Sequence, residues 1–193
     1  EIVWSYRSQL PLLNGRGSSS PVIDDDKIIA TFDNGRLVVL QLATGFPLWD
    51  GAISYVSGTS ELDNLVDADS NPVIAGSLIY AVNYQGNLNI FDQSQKRSIW
   101  KSEASSFYSP VITKGLIIVV ENNSKIITYS NKTLEESWSS DEYLNRSLSN
   151  PISFKGNLLV GDNEGYLHII NPINGKTVGR KKISKQPLKY LSS

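Results

Sequence analysis

The chain has 193 residues, of which 40% are hydrophobic, 18 are basic and 19 are acidic. This composition supports a packed core, and the balanced charge provides no bulk attraction to nucleic acid or to an anionic membrane. Cysteine is absent, which excludes disulfides, cysteine nucleophiles and thiolate metal sites.

Four segments of the sequence open with serine or asparagine, then proline and a β-branched residue. They are Ser20-Pro21-Val22-Ile23, Asn71-Pro72-Val73-Ile74, Ser109-Pro110-Val111-Ile112 and Asn150-Pro151-Ile152-Ser153. Fourteen residues after each proline comes a glycine or a serine, and twenty-eight residues after it comes tryptophan in three copies and Gly179 in the last. The offsets are constant although the prolines are unequally spaced, so the unit is rigid and its linkers vary. A period of this size indicates a propeller or a solenoid.

The first unit alternates β-branched runs with turn residues. A run at 27–31 is followed by the turn 33–35, a second run at 37–40 and the turn 43–45, after which Trp49 closes the unit. We expect the turns to need positive φ, which Gly and Asn adopt at low cost. The preceding Asp24-Asp25-Asp26 lacks the ligand spacing and glycine of a calcium loop, so we interpret it as a solvated turn.

The later units repeat this order of runs and turns. Turns are predicted at 84–87 and 163–165, with strands directly after them. About forty residues forming about four short antiparallel strands is the size of one propeller blade. The predicted blades cover 20–50, 71–101, 109–139 and 150–182, with an insertion at about 51–70, within one partial propeller domain over 1–193.

The combination of proline, two hairpin turns and a late tryptophan resembles the PQQ-like, quinoprotein-type repeat. This resemblance implies an all-β propeller of which the chain supplies about four blades of an expected eight, with four antiparallel strands in each. In such repeats the indole docks between neighbouring blades, so we expect the tryptophans to be core anchors. Trp4 is interpreted as the end of a further blade, and Gln186-Pro187-Leu188 as the start of another.

Two segments, 57–73 and 156–168, resemble sequences that mark the BamB family of the bacterial outer-membrane β-barrel assembly machine. The similarity is collinear from Gly15 to about Lys182. It implies a non-catalytic scaffold at the periplasmic face of the outer membrane, without cofactor or metal, which contacts the membrane only through a lipid anchor outside this chain. The implied partners are the POTRA domains of BamA and, as a second class, unfolded outer-membrane proteins.

The same resemblance places partner binding on two neighbouring loops, at Leu13, Gly15, Arg16, Asp67 and Asp69. Gly15 departs from the family, which commonly has a second leucine there. Asp67 and Asp69 are two residues apart, so in an extended segment their carboxylates point the same way, and Arg16 offers a donor fork that suits a carboxylate. Two interpretations of these charges stand side by side: an ion pair between Arg16 and an aspartate within the chain, and a direct contact with the partner.

Particular residues favour or exclude other functions. A quinoprotein dehydrogenase with its site in a missing half is the first alternative, and another periplasmic PQQ-repeat adaptor is the second. The single histidine, His168, excludes a multi-histidine metal site, and its place within a predicted strand favours a structural role. The run Arg180-Lys181-Lys182 is interpreted as a charged outer strand that discourages edge pairing, and no nucleic-acid partner is expected.

Half of a ring would leave two open apolar faces. We therefore expect the chain to self-associate, with two copies completing a ring. Its first residues have neither an initiator Met nor a signal pattern, so we expect the chain to begin within a longer protein.

Overall fold

The computed structural model describes residues 2–8, 19–54 and 70–192. Every regular element in these residues is a β-strand, and the strands form four antiparallel sheets of four strands each. The prediction of an all-β chain of four-stranded antiparallel sheets is confirmed. Within the described ranges there is no helix long and apolar enough to cross a membrane.

Each sheet is one sequence repeat, with its strands side by side in chain order. The first sheet contains β1 (Val22–Asp24), β2 (Lys27–Phe32), β3 (Arg36–Gln41) and β4 (Pro47–Ala52). The second contains β5 (Val73–Ala75), β6 (Leu78–Val82), β7 (Leu88–Asp92) and β8 (Arg97–Ser102). The third contains β9 (Val111–Thr113), β10 (Leu116–Val120), β11 (Ile126–Ser130) and β12 (Glu136–Ser140). The fourth contains β13 (Ile152–Phe154), β14 (Asn157–Gly161), β15 (Tyr166–Ile170) and β16 (Thr177–Lys182).

The turn before each outer strand has the same backbone conformation in all four sheets, although its sequence differs. The residue twenty-four positions after the proline has positive φ and donates its amide to the carbonyl four residues earlier, at 2.8 to 2.9 Å. These residues are Gly45, Lys96, Leu134 and Gly175. Lysine and leucine adopt the conformation in two sheets, so glycine is not required there.

The turn between the second and third strands corrects one expectation from the sequence. Positive φ falls on Gly35, Ser124 and Gly165, but in the second sheet it falls on Gln85 and not on Gly86. A steric constraint applies at Gly86 instead, because a Cβ atom there would lie 3.2 Å from both Asn83 Oδ1 and Ser54 Cβ. Close packing therefore accounts for that glycine.

A one-residue β-bulge interrupts each outer strand directly before the position that carries tryptophan in three sheets. Val39 pairs with Trp49 but Leu40 pairs with Pro47, which leaves Leu48 unpaired, and the other three sheets shift register at the equivalent point. A bulge turns the following side chain to a new direction. No residue type marks the bulge in the four sheets, so the sequence does not predict the bulges.

Two indoles show how these tryptophans are used. Trp138 Nε1 donates to the carbonyl of Pro172 at 2.9 Å, and its ring lies on Gly175 in the fourth sheet. Trp4 Nε1 donates to the carbonyl of Leu42 at 2.9 Å, and its ring lies on Gly45. The predicted anchoring role is confirmed for both, because each ring covers a turn of the next sheet along the chain.

The chain divides into two compact units, Glu1–Phe107 and Tyr108–Ser193. In the first unit, Ile29, Leu37 and Val39 of the first sheet pack against side chains of the second, and the Trp49 and Phe91 ring centroids are 6.2 Å apart. In the second unit, the buried cluster joins Ile118, Val120 and Ile126 to Leu158, Val160 and Ile170. Full burial of one such side chain contributes about 1.5–3 kcal/mol.

Candidate functional site

The five residues that the resemblance marks as partner-binding, Leu13, Gly15, Arg16, Asp67 and Asp69, all lie outside the described residues. They fall within two segments, 9–18 and 55–69. The residues on either side of both segments are described, and their contacts define where the segments join the first unit.

The residues that precede the two segments are bonded to the turn between β2 and β3. The side-chain amide of Asn34 donates to Ser8 Oγ at 2.8 Å. The amides of Ile53 and Ser54 donate to the carbonyl of Gly35 at 2.8 and 3.3 Å. Ser8 and Ser54, the last residues before the two segments, are therefore held at adjacent positions of a single turn.

The residues that follow the two segments, Ser19 and Ser70, are bonded to Thr31, in β2. The Thr31 hydroxyl lies 2.8 Å from Ser19 Oγ and 3.1 Å from the carbonyl of Ser70, while Ser19 Oγ donates to the Thr31 carbonyl at 2.9 Å. Ser20 and Asn71 are joined next to them, by a bond of 2.6 Å from the Ser20 amide to Asn71 Oδ1. Thr31 and Ser70 are buried, so water competes little with these bonds.

The single histidine belongs to a buried polar cluster in the second unit. His168 Nε2 lies 2.8 Å from Asp162 Oδ2, and Arg146 Nη1 donates to the same oxygen at 2.9 Å. The other carboxylate oxygen accepts the amides of Glu164 and Tyr166, at 3.0 and 2.9 Å. Burial raises the pKa of Asp162, but the hydrogen bonds from His168, the Tyr166 amide and Arg146 outweigh it, and the net pKa is lowered.

This cluster ties the segment that follows β12 to the fourth sheet. Arg146 lies in that segment, and its carbonyl accepts the Asn163 amide at 3.0 Å. The Tyr143 ring meets His168 edge-on at 5.0 Å. The arrangement agrees with the structural role expected for His168. Sequence reasoning missed Asp162 and Arg146, although the Asp162-Asn163-Glu164-Gly165 turn was a local signal for a carboxylate that accepts backbone amides.

The predicted charged outer strand is β16, at the edge of the fourth sheet. The Arg180 guanidinium lies 3.8 Å from the Tyr166 ring centroid, and Lys182 Nζ lies 5.2 Å from it. Asp25 and Asp26 form the exposed turn between β1 and β2. Among the described residues no group of three or more histidine, aspartate or glutamate side chains could hold a metal ion.

Comparison with known proteins relates the sequence to an assembly factor. A family model described as outer membrane protein assembly factor BamB matches residues 1–140 and 109–189. A protein of that name from Yersinia pestis is 34% identical over 182 residues, which is 94% of this chain and 46% of the relative. The Escherichia coli K12 protein of that name is 32% identical over 174 residues, which is 90% of this chain and 44% of that relative. The chain spans about half the length of the curated relatives it matches.

Two solved structures resemble the fold. The crystal structure of BamB from Moraxella catarrhalis matches with a TM-score of 0.91 and 29% identity, covering 99% of this chain and 57% of that chain. The quinohemoprotein alcohol dehydrogenase from Comamonas testosteroni matches with a TM-score of 0.69 and 14% identity, over 87% of this chain and 35% of that one. At that identity the second likeness concerns the fold alone.

Proposed function

The chain belongs to the family of the outer membrane protein assembly factor BamB, and from this premise we propose that it is a non-catalytic scaffold of the outer-membrane assembly machinery. It binds the POTRA region of BamA at the periplasmic face of the membrane and assists the insertion of β-barrel proteins. The observation that carries the proposal is the family match, which extends over almost the whole chain.

We place the binding surface on the two segments 9–18 and 55–69. Arg16 is three residues before Ser19, and Asp69 directly precedes Ser70, so each is tied by a short chain to the contact around Thr31. A chain reaches at most about 3.6 Å per residue, which keeps Arg16 within roughly 11 Å of Ser19. This proximity supports one shared surface, with Arg16 and the two aspartates either shaping it or contacting the partner.

A scaffold fits the described polar groups better than an enzyme does. The chain has one histidine, which is buried and directed at Asp162, and that carboxylate is already hydrogen-bonded through both oxygens. A general base needs access to a substrate proton. The likeness to a quinohemoprotein concerns the fold alone and carries no residue of that chemistry to this chain.

The sheet edges are less suited than the loops to be the main contact. Unfolded β-strands could add to an outer edge, but all four outer strands are interrupted by a bulge, and the β16 edge carries three consecutive basic residues. Bulges and charges on an edge discourage strand addition. We therefore make the loop surface the primary site and treat unfolded outer-membrane proteins as secondary clients.

Titration calorimetry with purified BamA POTRA domains tests this proposal. We expect the chain to bind, and the Arg16→Glu, Asp67→Lys double variant to lose binding because one basic and one acidic residue of the surface are reversed in charge. The matched control is Lys132→Glu, Glu135→Lys, which reverses one basic and one acidic residue, both exposed, in the turn before β12. Absence of binding by the unchanged chain, or equal loss in both double variants, would contradict the proposal.

A further inference from the structure

Basic residues collect in the second half of the fourth sheet and in the segment that follows it. Residues 166–189 contain no acidic residue, and their six basic residues, all of them exposed, are Lys176, Arg180, Lys181, Lys182, Lys185 and Lys189. The whole chain has nearly equal numbers of acids and bases, so this positive stretch is a local feature. A surface of this kind attracts an anionic partner.

The basic residues of β16 are divided between the two faces of the sheet. The register pairs Lys182 with Tyr166 and Lys181 with Leu167. Because side chains alternate along a strand, Arg180 and Lys182 lie on the Tyr166 face and Lys181 lies on the opposite face. A ligand on the Tyr166 face therefore meets two of the three cations.

The Tyr166 ring contacts both cations of its face. The guanidinium carbon of Arg180 lies 3.8 Å from the ring centroid, and Lys182 Nζ lies 5.2 Å from it. Cations at these distances are attracted to the face of an aromatic ring, which restricts the positions of two otherwise flexible side chains. Side chains that are ordered before binding lose less conformational entropy when they bind.

The Arg180 guanidinium lies near a carboxylate without a hydrogen bond to it. Arg180 Nη2 is 3.9 Å from Glu164 Oε2, which is longer than a hydrogen bond. Arg146 Nη1 is 3.7 Å from the same oxygen and is bonded instead to Asp162, at 2.9 Å. Within the part of the chain that the structure describes, Arg180 thus keeps its planar donor fork for a further carboxylate.

The spacing of the two cations indicates what kind of anion fits them. Residues two apart in a strand are separated by about 6.6 Å along its axis, and the same spacing holds for alternate residues of any extended polypeptide. Two carboxylates two residues apart would therefore meet Arg180 and Lys182 one to one. Lipid headgroups have no fixed spacing, so a fixed pair of cations favours a polypeptide. The bulge in β16 disfavours an added strand, so the contact runs through side chains.

We propose that Arg180 and Lys182, held on the Tyr166 ring, bind an extended acidic segment of a partner polypeptide that has carboxylates at alternate positions. Protection of the sheet edge, the role expected from the sequence, accounts for charge anywhere on the strand but not for two cations on one ring. The surface shares no residue with the segments 9–18 and 55–69. It therefore goes beyond the proposed function, and either proposal can fail without the other.

Fluorescence anisotropy with a labelled peptide of alternating glutamate and threonine tests this proposal. We expect the chain to bind this peptide, to bind a peptide of alternating glutamine and threonine at least roughly tenfold more weakly, and to lose affinity as salt is added. The Arg180→Glu, Lys182→Glu variant should raise the dissociation constant for the acidic peptide by more than about tenfold.

The matched control is Lys176→Glu, Lys181→Glu, which changes the net charge equally at one residue before β16 and one on its opposite face. Its dissociation constant should stay within about threefold of that of the unchanged chain, because exposed charges outside the contact contribute little. If charge reversal beside Glu164 prevents folding, Arg180→Gln, Lys182→Gln removes both charges without adding acids and should weaken binding in the same direction.

Three outcomes would overturn the proposal. Equal affinity for the acidic and the amide peptide would show that carboxylates are not recognised. Equal losses of affinity in the two charge-reversed variants would show that net charge, and not the pair on Tyr166, governs binding. Binding to phosphatidylglycerol vesicles without binding to the acidic peptide would assign the basic surface to anionic lipid.

Discussion

At the level of single side chains, the carboxylate of Asp162 accepts hydrogen bonds from His168, Arg146 and two backbone amides. An unfolded aspartate has a pKa near 3.9, and the folded pKa of Asp162 is lowered. The ionised form therefore stabilises the fold above that value, and the contribution is lost as the pH falls through the folded pKa. Asp162 should therefore make the second unit less stable to unfolding at acid pH than at neutral pH.

We expect Asp162→Asn to lower the free energy of unfolding at pH 7 by about 3 kcal/mol, because a neutral amide replaces the ionised acceptor that Arg146 and His168 share. The loss should shrink as the pH falls below 4, where the unchanged chain loses the same interaction. Urea unfolding between pH 7 and pH 3 measures both effects.

The control for this prediction is Asp141→Asn, which removes an ion pair at 3.9 Å between the exposed Asp141 and the partly exposed Lys125. Exposed pairs contribute at most about 1 kcal/mol. Equal stability of Asp162→Asn and the unchanged chain at pH 7 would show that the buried cluster does not stabilise the fold.

At the level of strands and turns, the docked indole makes substitution of one glycine by alanine more destabilising than the same substitution at another glycine with a similar backbone conformation. Gly175 has φ of +69°, and a Cβ there would lie 2.8 Å from Trp138 Cε3. Gly115 has φ of +73°, and a Cβ there would have no neighbour within 4 Å. Gly115→Ala should cost about 1–2 kcal/mol, the penalty of the left-handed conformation. Gly175→Ala should cost clearly more because it also displaces the indole.

Urea unfolding of both glycine variants, with tryptophan fluorescence as the probe, checks this prediction. Fluorescence of the folded Gly175→Ala variant should also differ from that of the unchanged chain, because the environment of Trp138 is altered. Equal losses of stability in the two variants would mean that the indole is not held on the turn in solution.

The strands could be predicted because the repeat appears four times, so weak local signals support one another at constant offsets. The bulges could not be predicted, since any residue can be the extra one, as Leu48 of β4 shows. The pairing of Asp162 with Arg146 joins residues sixteen positions apart and depends on how a connecting segment returns to its neighbouring sheet. The candidate loop residues came from a family resemblance, and only the ends of their loops are positioned by described contacts.

At the level of the whole molecule, the first sheet has an apolar side on which no sheet among the described residues of its own unit packs. Ile74 and Ile79 of the second sheet belong to the core shared with the first, and Ile79 is fully buried. The residues at the same offsets in the first sheet are Ile23, which is 63% exposed, and Ile28, which lines a cavity of about 350 Å³ with Trp4 and other apolar residues.

We therefore expect the isolated chain to self-associate through this side of the first sheet. Sedimentation velocity over a range of concentrations should show a concentration-dependent rise in mass. An Ile23→Asp, Ile28→Lys variant should shift the equilibrium toward monomer, because charges oppose burial of that surface. A monodisperse monomer at every concentration would contradict this expectation.

Hydrogen–deuterium exchange of the chain, alone and with an excess of BamA POTRA domains, shows whether the two loop segments bind this partner. We expect binding to slow exchange in the two segments 9–18 and 55–69, while exchange in the fourth sheet is unchanged. Unaltered exchange throughout the chain, or protection confined to the fourth sheet, would contradict this expectation.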